Sequence, residues 1–228
     1  MGTGAVRLLA LASDPAVATD ADALTERILD AALELAAASG LRHLTMDDVA
    51  ARARVGRMTV YRRFGARQQL VDALAARECR RCLETISAAL DPRAAVEDRA
   101  AALFITTLRV IREHPLLARL ARVEPESFLR ELTRDGSAVL HLVREFLVAE
   151  IRRAQQAGEL VPGDPRPLAE LVVRLGASFV LMPDSGLALD DERMMRETAH
   201  MLIAPVIRRR SRREEKIPRR RPIRGSRG

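Results

Sequence analysis

Apolar residues recur along this chain at steps of three and four, and nowhere alternate over a useful length. Leu24, Ile28, Ala31, Ala32, Leu35 and Ala36 form one such stripe, with Thr25 as its start and Gly40 as its stop. Thr45 opens a short helix to about residue 53, with Asp47 and Asp48 in the first turn, where the helix dipole favours acids. After a three-residue gap a second short helix runs over about 57–64, closed by Gly65. A long helix at about 67–90 ends at Asp91-Pro92. Further helices are expected at about 94–113, 115–122, 125–134, 137–157, 166–182 and 190–208. The stretch "AALFITTLRVI" is apolar on most sides and predicts a centrally buried helix. The breaker-rich "GELVPGDPRP" and "MPDSG" separate the last three helices. The pattern is all-α.

Two short helices with a three-residue connection outline a helix-turn-helix. Val49, Ala50 and Ala53 on the first, Val60 and Phe64 on the second, and Val55 in the turn fall where the helices must touch. The small Ala50 permits a close crossing. The other face of the second helix then shows Arg57, Thr59, Arg62 and Arg63. A helix of this size fits the DNA major groove, where Arg bonds guanine bidentately and Thr reaches several base edges or a methyl. Tyr61 brings a hydroxyl for a phosphate oxygen, and Thr45 and Arg67 begin helices whose backbone N–H groups attract phosphate. The bland alternative is a buried helix pair whose arginines only solvate it.

Charge sharpens this picture. The net charge of +7 divides into +9 from Arg208 onward and −2 over residues 1–207. Within that body, residues 42–77 carry eight Arg against three Asp, and the remainder is acidic. A basic window on an acidic body suits a local polyanion contact. With 228 residues the chain holds one medium core, or a small module joined to a larger one, and 3% aromatics leave Ala, Leu and Val to fill it.

The span from Thr25 to Leu74, "TERILDAALELAAASGLRHLTMDDVAARARVGRMTVYRRFGARQQLVDAL", resembles the DNA-binding domain of the TetR family of transcriptional regulators. The match holds one register across an opening "T-x-x-I-L-x-A-A", the Gly after helix 1, "T-M-D-D-V-A", "T-V-Y-R-R-F" and a following "R-x-x-L". The resemblance implies a homodimer, a pseudo-palindromic double-stranded DNA operator, and a C-terminal domain that senses a small molecule. It puts phosphate and base contacts at Thr45, Gly56, Arg57, Met58, Thr59, Tyr61, Arg62, Arg63 and Arg67. The chain departs from the family's habit at Arg54 (usually Gly), Gly56 (Ser or Thr), Met58 (Gly or Pro) and Arg67 (Lys). Gly56 loses a capping oxygen, Arg54 removes a permissive turn residue, and Met58 brings an apolar group toward thymine methyls.

Beyond residue 90 the likeness is looser. "REHPLLARL", "AGELVPGDPRPLAELVVRLGASFVLMPDS" and the closing helix resemble TetR-type sensor domains. This implies dimerisation through the helices at about 166–182 and 190–208. Leu168, Leu171, Leu175 and Ser178 share one face of the first, and Met195, Ala199, Leu202 and Val206 one face of the second; intramolecular core would show the same periodicity. A pocket is expected between the helices at 94–113, 137–157 and 166–182, lined by Phe104, Thr107, Leu108, Ile111, Leu140, Val143, Phe146, Leu147, Phe179 and Met182, and suited to a hydrophobic or amphipathic effector. His114 is the polar candidate beside it.

The organisation expected is a flexible leader over 1–20, a DNA-binding domain over 21–66, a sensing and dimerisation domain over 67–207, and a basic tail over 208–228. The tail is either a non-specific DNA-binding arm or a solvated end. No apolar run approaches a membrane span, the leader's apolar run is brief, and two Cys are no disulfide framework, so a bacterial cytoplasmic, nucleoid-associated protein is expected. No catalytic constellation, metal set or cofactor loop is present in the sequence, and an enzyme is not expected. Cys79 and Cys82 lie on a face with Ala75 and Ile86, which packing explains; a redox-triggered regulator is the alternative. A second alternative is a nucleoid-type protein without an operator.

Overall fold

The structure is a computed structural model, and it describes residues 20–133, 137–182 and 191–208. All regular structure among them is helical. The order is α1 (Asp20–Ser39), a 3-10 turn (Leu41–His43), α2 (Met46–Ala53), α3 (Arg57–Phe64), α4 (Arg67–Ala88), α5 (Val96–Glu113), α6 (Pro115–Arg122), α7 (Pro125–Thr133), α8 (Ala138–Gln156), α9 (Arg166–Leu181) and α10 (Glu192–Arg208). Nearly all of the leader, most of "MPDSG" and nearly all of the basic tail lie outside the described residues. No described helix is long and apolar enough to cross a membrane.

The first helix begins at Asp20, five residues before the Thr25 that the periodicity marks. The acidic, alanine-rich "DADA" explains the extension, because Ala is the best helix former and Asp suits a first turn. Gly40 stops the helix at φ 94°, ψ 157°. The 3-10 turn after it has no apolar period of its own to announce it.

Two sets of helices build separate cores. In the first, Ile28, Leu29, Ala32 and Ala36 of α1 meet Val49 and Ala50 of α2, Val60 and Phe64 of α3, and Leu70 and Leu74 of α4. Leu116 and Leu120 of α6 enter the same cluster. The helix-turn-helix module therefore rests on a helix from far along the chain. In the second set, α5 packs on α10 through Phe104, Leu108, Met195 and Ala199, while Leu147 and Val148 of α8 pack on Ala169 of α9.

A charged cluster ties α1, α4 and α6 together. Arg77 and Glu78 of α4 are both buried, with Arg77 Nε donating to Glu78 Oε1 at 2.7 Å. Arg77 Nη1 donates to Asp30 at 2.8 Å and to Glu26 at 3.1 Å, both on α1. His114 Nε2 lies 3.0 Å from Glu78 Oε2, while its Nδ1 accepts from the Leu117 N–H at 3.3 Å. The imidazole thus caps α6 with one nitrogen and ties it to α4 with the other. His114 serves this joint and not the pocket expected from sequence.

Candidate nucleic-acid interface

The helix-turn-helix is fixed by local chemistry. Thr45 caps α2, its hydroxyl oxygen accepting from the Asp48 N–H at 3.1 Å and its O–H donating to the Asp48 carboxylate at 2.6 Å. At the far end Arg54 takes the left-handed conformation, φ 54° and ψ 49°. Two hydrogen bonds close the helix there, Val55 N–H to Ala50 O at 3.0 Å and Arg54 N–H to Ala51 O at 3.2 Å. Arg27 of α1 donates to the Ala53 carbonyl at 2.9 Å. Arg54 is the one non-glycine residue with positive φ among those described. That conformation costs an L-residue about 1–2 kcal/mol, part of which glycine returns through its freer unfolded chain. Arg54→Gly is therefore expected to stabilise the protein by up to about 1 kcal/mol, read as a higher urea midpoint at an unchanged slope. A lower midpoint would show that the arginine side chain, not the backbone, decides this turn.

The second short helix, α3, buries Val60 and Phe64 against α1, α2 and α4. With roughly 100° between successive residues, Met58 and Arg62 sit opposite that buried face. Arg57 and Tyr61 lie on one flank, Thr59 and Arg63 on the other. Arg62 makes no ion pair or hydrogen bond among the described residues. Arg57 is held at the flank: Nε sits 2.9 Å from Asp47 of α2, and its guanidinium lies 5.4 Å from the Tyr61 ring centroid. Arg63 Nε donates to Thr25 Oγ1 at 2.6 Å. Gly56 caps the helix with its backbone alone, its carbonyl accepting from the Thr59 N–H at 2.9 Å.

Arg67 has a different place from the phosphate-facing one expected. Its Nε donates to the Leu44 carbonyl at 2.7 Å and its Nη2 to the Leu41 carbonyl. The Leu41 carbonyl also accepts from the Leu44 N–H at 3.3 Å within the 3-10 turn, and the guanidinium clasps both carbonyls. The eight residues Thr45, Gly56, Arg57, Met58, Thr59, Tyr61, Arg62 and Arg63 are brought together along α2 and α3; Arg67 braces them from behind. Sequence reasoning gave no sign of Asp47 and Arg27 as the residues that hold this surface.

The expected pocket residues do not meet in one place. Phe104, Leu108 and Phe179 cluster beside α10, the two rings edge to face at 4.9 Å. Leu147, Val143 and Phe146 cluster between α8 and α9. Thr107, Ile111 and Leu140 are half-buried, and Met182 is 63% exposed beyond the end of α9. Neither of two surface clefts is lined by any of them. One, of about 730 Å³, lies at Arg193, Arg196, Glu197 and His200; the other, of about 380 Å³, lies where α8 meets the start of α9.

The cysteines are tuned away from reactivity. Burial, then the Cys82 charge, pushes the Cys79 thiol up to about 12, and burial and Glu78 push Cys82 up to about 11. Almost no thiolate forms at neutral pH, and the thiolate is the reactive species.

Residues 28–74 match the model of the family described as "Bacterial regulatory proteins, tetR family". An uncharacterized HTH-type transcriptional regulator of Mycobacterium tuberculosis is 28% identical over 183 residues, covering 79% of this chain and 85% of its own. The HTH-type transcriptional regulator AlkX of the same organism is 27% identical over 180 residues, covering 75% and 83%. The TetR family repressor AlkX from Dietzia sp., implicated in biodegradation of n-alkanes, shares the fold at a TM-score of 0.60 and 23% identity, over 80% of this chain and 94% of its own. The matched span covers the described α2–α3 hairpin and the core beneath it, and the relatives extend the likeness over most of the chain. Residues 28–74 thus carry a TetR-family DNA-binding domain, and the chain is similar over most of its length to TetR-type transcriptional regulators.

Proposed function

We propose that this protein is a homodimeric, effector-responsive repressor that binds a pseudo-palindromic operator through α3. The observation that carries the reading is the outward face of α3, where Arg57, Met58, Thr59, Tyr61, Arg62 and Arg63 line a helix whose other side is bound into the core. Arg62 on its crest reads a base edge, bidentately where that base is guanine. Arg57, Tyr61 and the first turn of α2 serve the phosphates beside it. In a dimer, two such helices enter major grooves about one helical turn apart.

Support for the dimer comes from α9 and α10. Leu171, Met194 and Met201 stand exposed on them, and nothing lies within 4 Å of the position a Gly176 side chain would take. Apolar groups in water and a bare backbone suit close approach of a second helix pair. Support for an apolar or amphipathic effector comes from the aliphatic and phenyl faces of α5, α8 and α9, and from the n-alkane association of the Dietzia repressor. The effector acts by population shift, favouring a conformer whose two α3 helices no longer match the operator. Helix α4 couples that shift to the DNA-binding module, because it packs on α5 and α8 and also enters the first core.

Selection from random duplexes tests the reading and is expected to recover one inverted repeat. Recovery of no enriched repeat would reject it and favour sequence-independent binding. On the recovered operator, Arg62→Ala is expected to cost about 1–3 kcal/mol and to relax preference at one or two base pairs. Tyr61→Phe is expected to weaken all duplexes about equally. A change of sequence preference in Tyr61→Phe without one in Arg62→Ala would invert these roles.

A further inference from the structure

Met58 is the one large apolar side chain left in solvent between residues 23 and 122, at 68% exposure. A single exposed methionine is ordinary on a protein surface. Its position gives this one meaning. It sits in the first turn of α3, opposite buried Val60 and Phe64, one turn before exposed Arg62. Its neighbour Arg57 is held to the flank by Asp47 and the Tyr61 ring. The first turn of a recognition helix is the part that reaches base edges. An unbranched thioether there has no hydrogen-bond donor, so it distinguishes bases only by apolar contact. The apolar group offered in the major groove is the C5 methyl of thymine.

We infer that Met58 reads the C5 methyl of a pyrimidine in each half-site, so that this operator position requires a 5-methylpyrimidine and is set by apolar contact. Cytosine lacks the methyl and is disfavoured; 5-methylcytosine restores it. The inference rests on the operator reading above and adds the chemical group that one of its residues recognises.

The test uses the full-length protein and the operator recovered by selection. Each thymine of a half-site is replaced in turn by deoxyuridine, which deletes only the methyl. For the unaltered protein, one substitution per half-site is expected to weaken binding about fourfold, the effect of one buried methyl group. Met58→Ala is expected to bind the thymine and deoxyuridine duplexes equally at that position, and Met58→Leu to keep the difference. Cytosine at the same position is expected to bind weakly and 5-methylcytosine to recover part of the loss. Because Met58 is exposed, neither variant disturbs the core. Equal binding of every deoxyuridine duplex by the unaltered protein would overturn the inference while leaving the operator intact. So would a deoxyuridine loss that persists unchanged in Met58→Ala. Absence of any operator would overturn this inference together with the reading beneath it.

Discussion

Replacing Arg77 with alanine is expected to destabilise the protein by about 3–5 kcal/mol, the range for removing one partner of a buried ion pair. The side chains of Arg77 and Glu78 are each 5% exposed, so solvent does little to screen them. Without Arg77 the Glu78 carboxylate keeps only His114 and the longer contact to Arg81 at 3.4 Å. The α1 carboxylates Glu26 and Asp30 lose their Arg77 contacts at the same time and are left with Arg81 as their hold on α4. Arg77 Nη2 has no partner of its own, so the site is not fully satisfied even when intact. The joint change of Arg77→Met and Glu78→Leu is therefore expected to cost less than Arg77→Ala alone, since it leaves no buried carboxylate behind. Urea unfolding of the variants decides this. A loss below about 1 kcal/mol for Arg77→Ala would show that the pair behaves as a surface one. The same cluster predicts a pH dependence. Burial raises the Glu78 carboxyl, but hydrogen bonds from His114 and Arg77 and the charges of Arg77 and Arg81 outweigh it and hold it below its ordinary 4.5. Its contribution is thus complete above about pH 4.5 and is lost as pH falls through the lowered folded value. Glu78→Gln should flatten that part of the stability profile.

Gly40→Ala is expected to cost about 2–4 kcal/mol. At φ 94° and ψ 157° the backbone lies where residues with a side chain are rarely found. A methyl there would also run into the Glu124 carboxylate. Glu124 is buried and held by Arg119 Nε at 3.4 Å and Ser127 Oγ at 3.3 Å, so it cannot swing away without losing partners. Gly40 also sets the path into the 3-10 turn whose carbonyls Arg67 clasps, so operator affinity should fall with stability. A variant within about 0.5 kcal/mol of the parent would mean that the α6–α7 corner yields easily to the intrusion.

Much of this fold could be read from the chain because its helices are long, periodic and punctuated. Thr45, Gly65, Pro115 and Gly158 mark ends that local backbone chemistry alone decides. Periodicity does not mark the start of α1, because "DADA" carries helix propensity without an apolar period. That Leu116 and Leu120 belong to the first core was not legible at all. Periodicity shows that a face is buried, but not which partner buries it. The interface divides in the same way. Which side chains of α3 point outward follows from the period of the helix. What holds them does not: Arg63 and Thr25 are 38 residues apart, and Arg67 and Leu41 are 26 apart. Long-range polar pairs leave no local pattern. The departure at Arg54 was visible as a missing glycine, and it falls at the left-handed backbone.

The pairing of Arg57 with Asp47 bears on how binding should respond to ionic strength. A free arginine that meets a phosphate lets a condensed cation leave the duplex, and each such contact steepens the fall of log K with log salt by about 0.9. Arg57 starts already neutralised by a carboxylate that is 55% exposed. When it turns to a phosphate it abandons Asp47, which must then draw a cation from solution. Part of the ion release is cancelled by that uptake. The salt slope should therefore be shallower than the number of arginines on α3 suggests, and Asp47→Asn should steepen it.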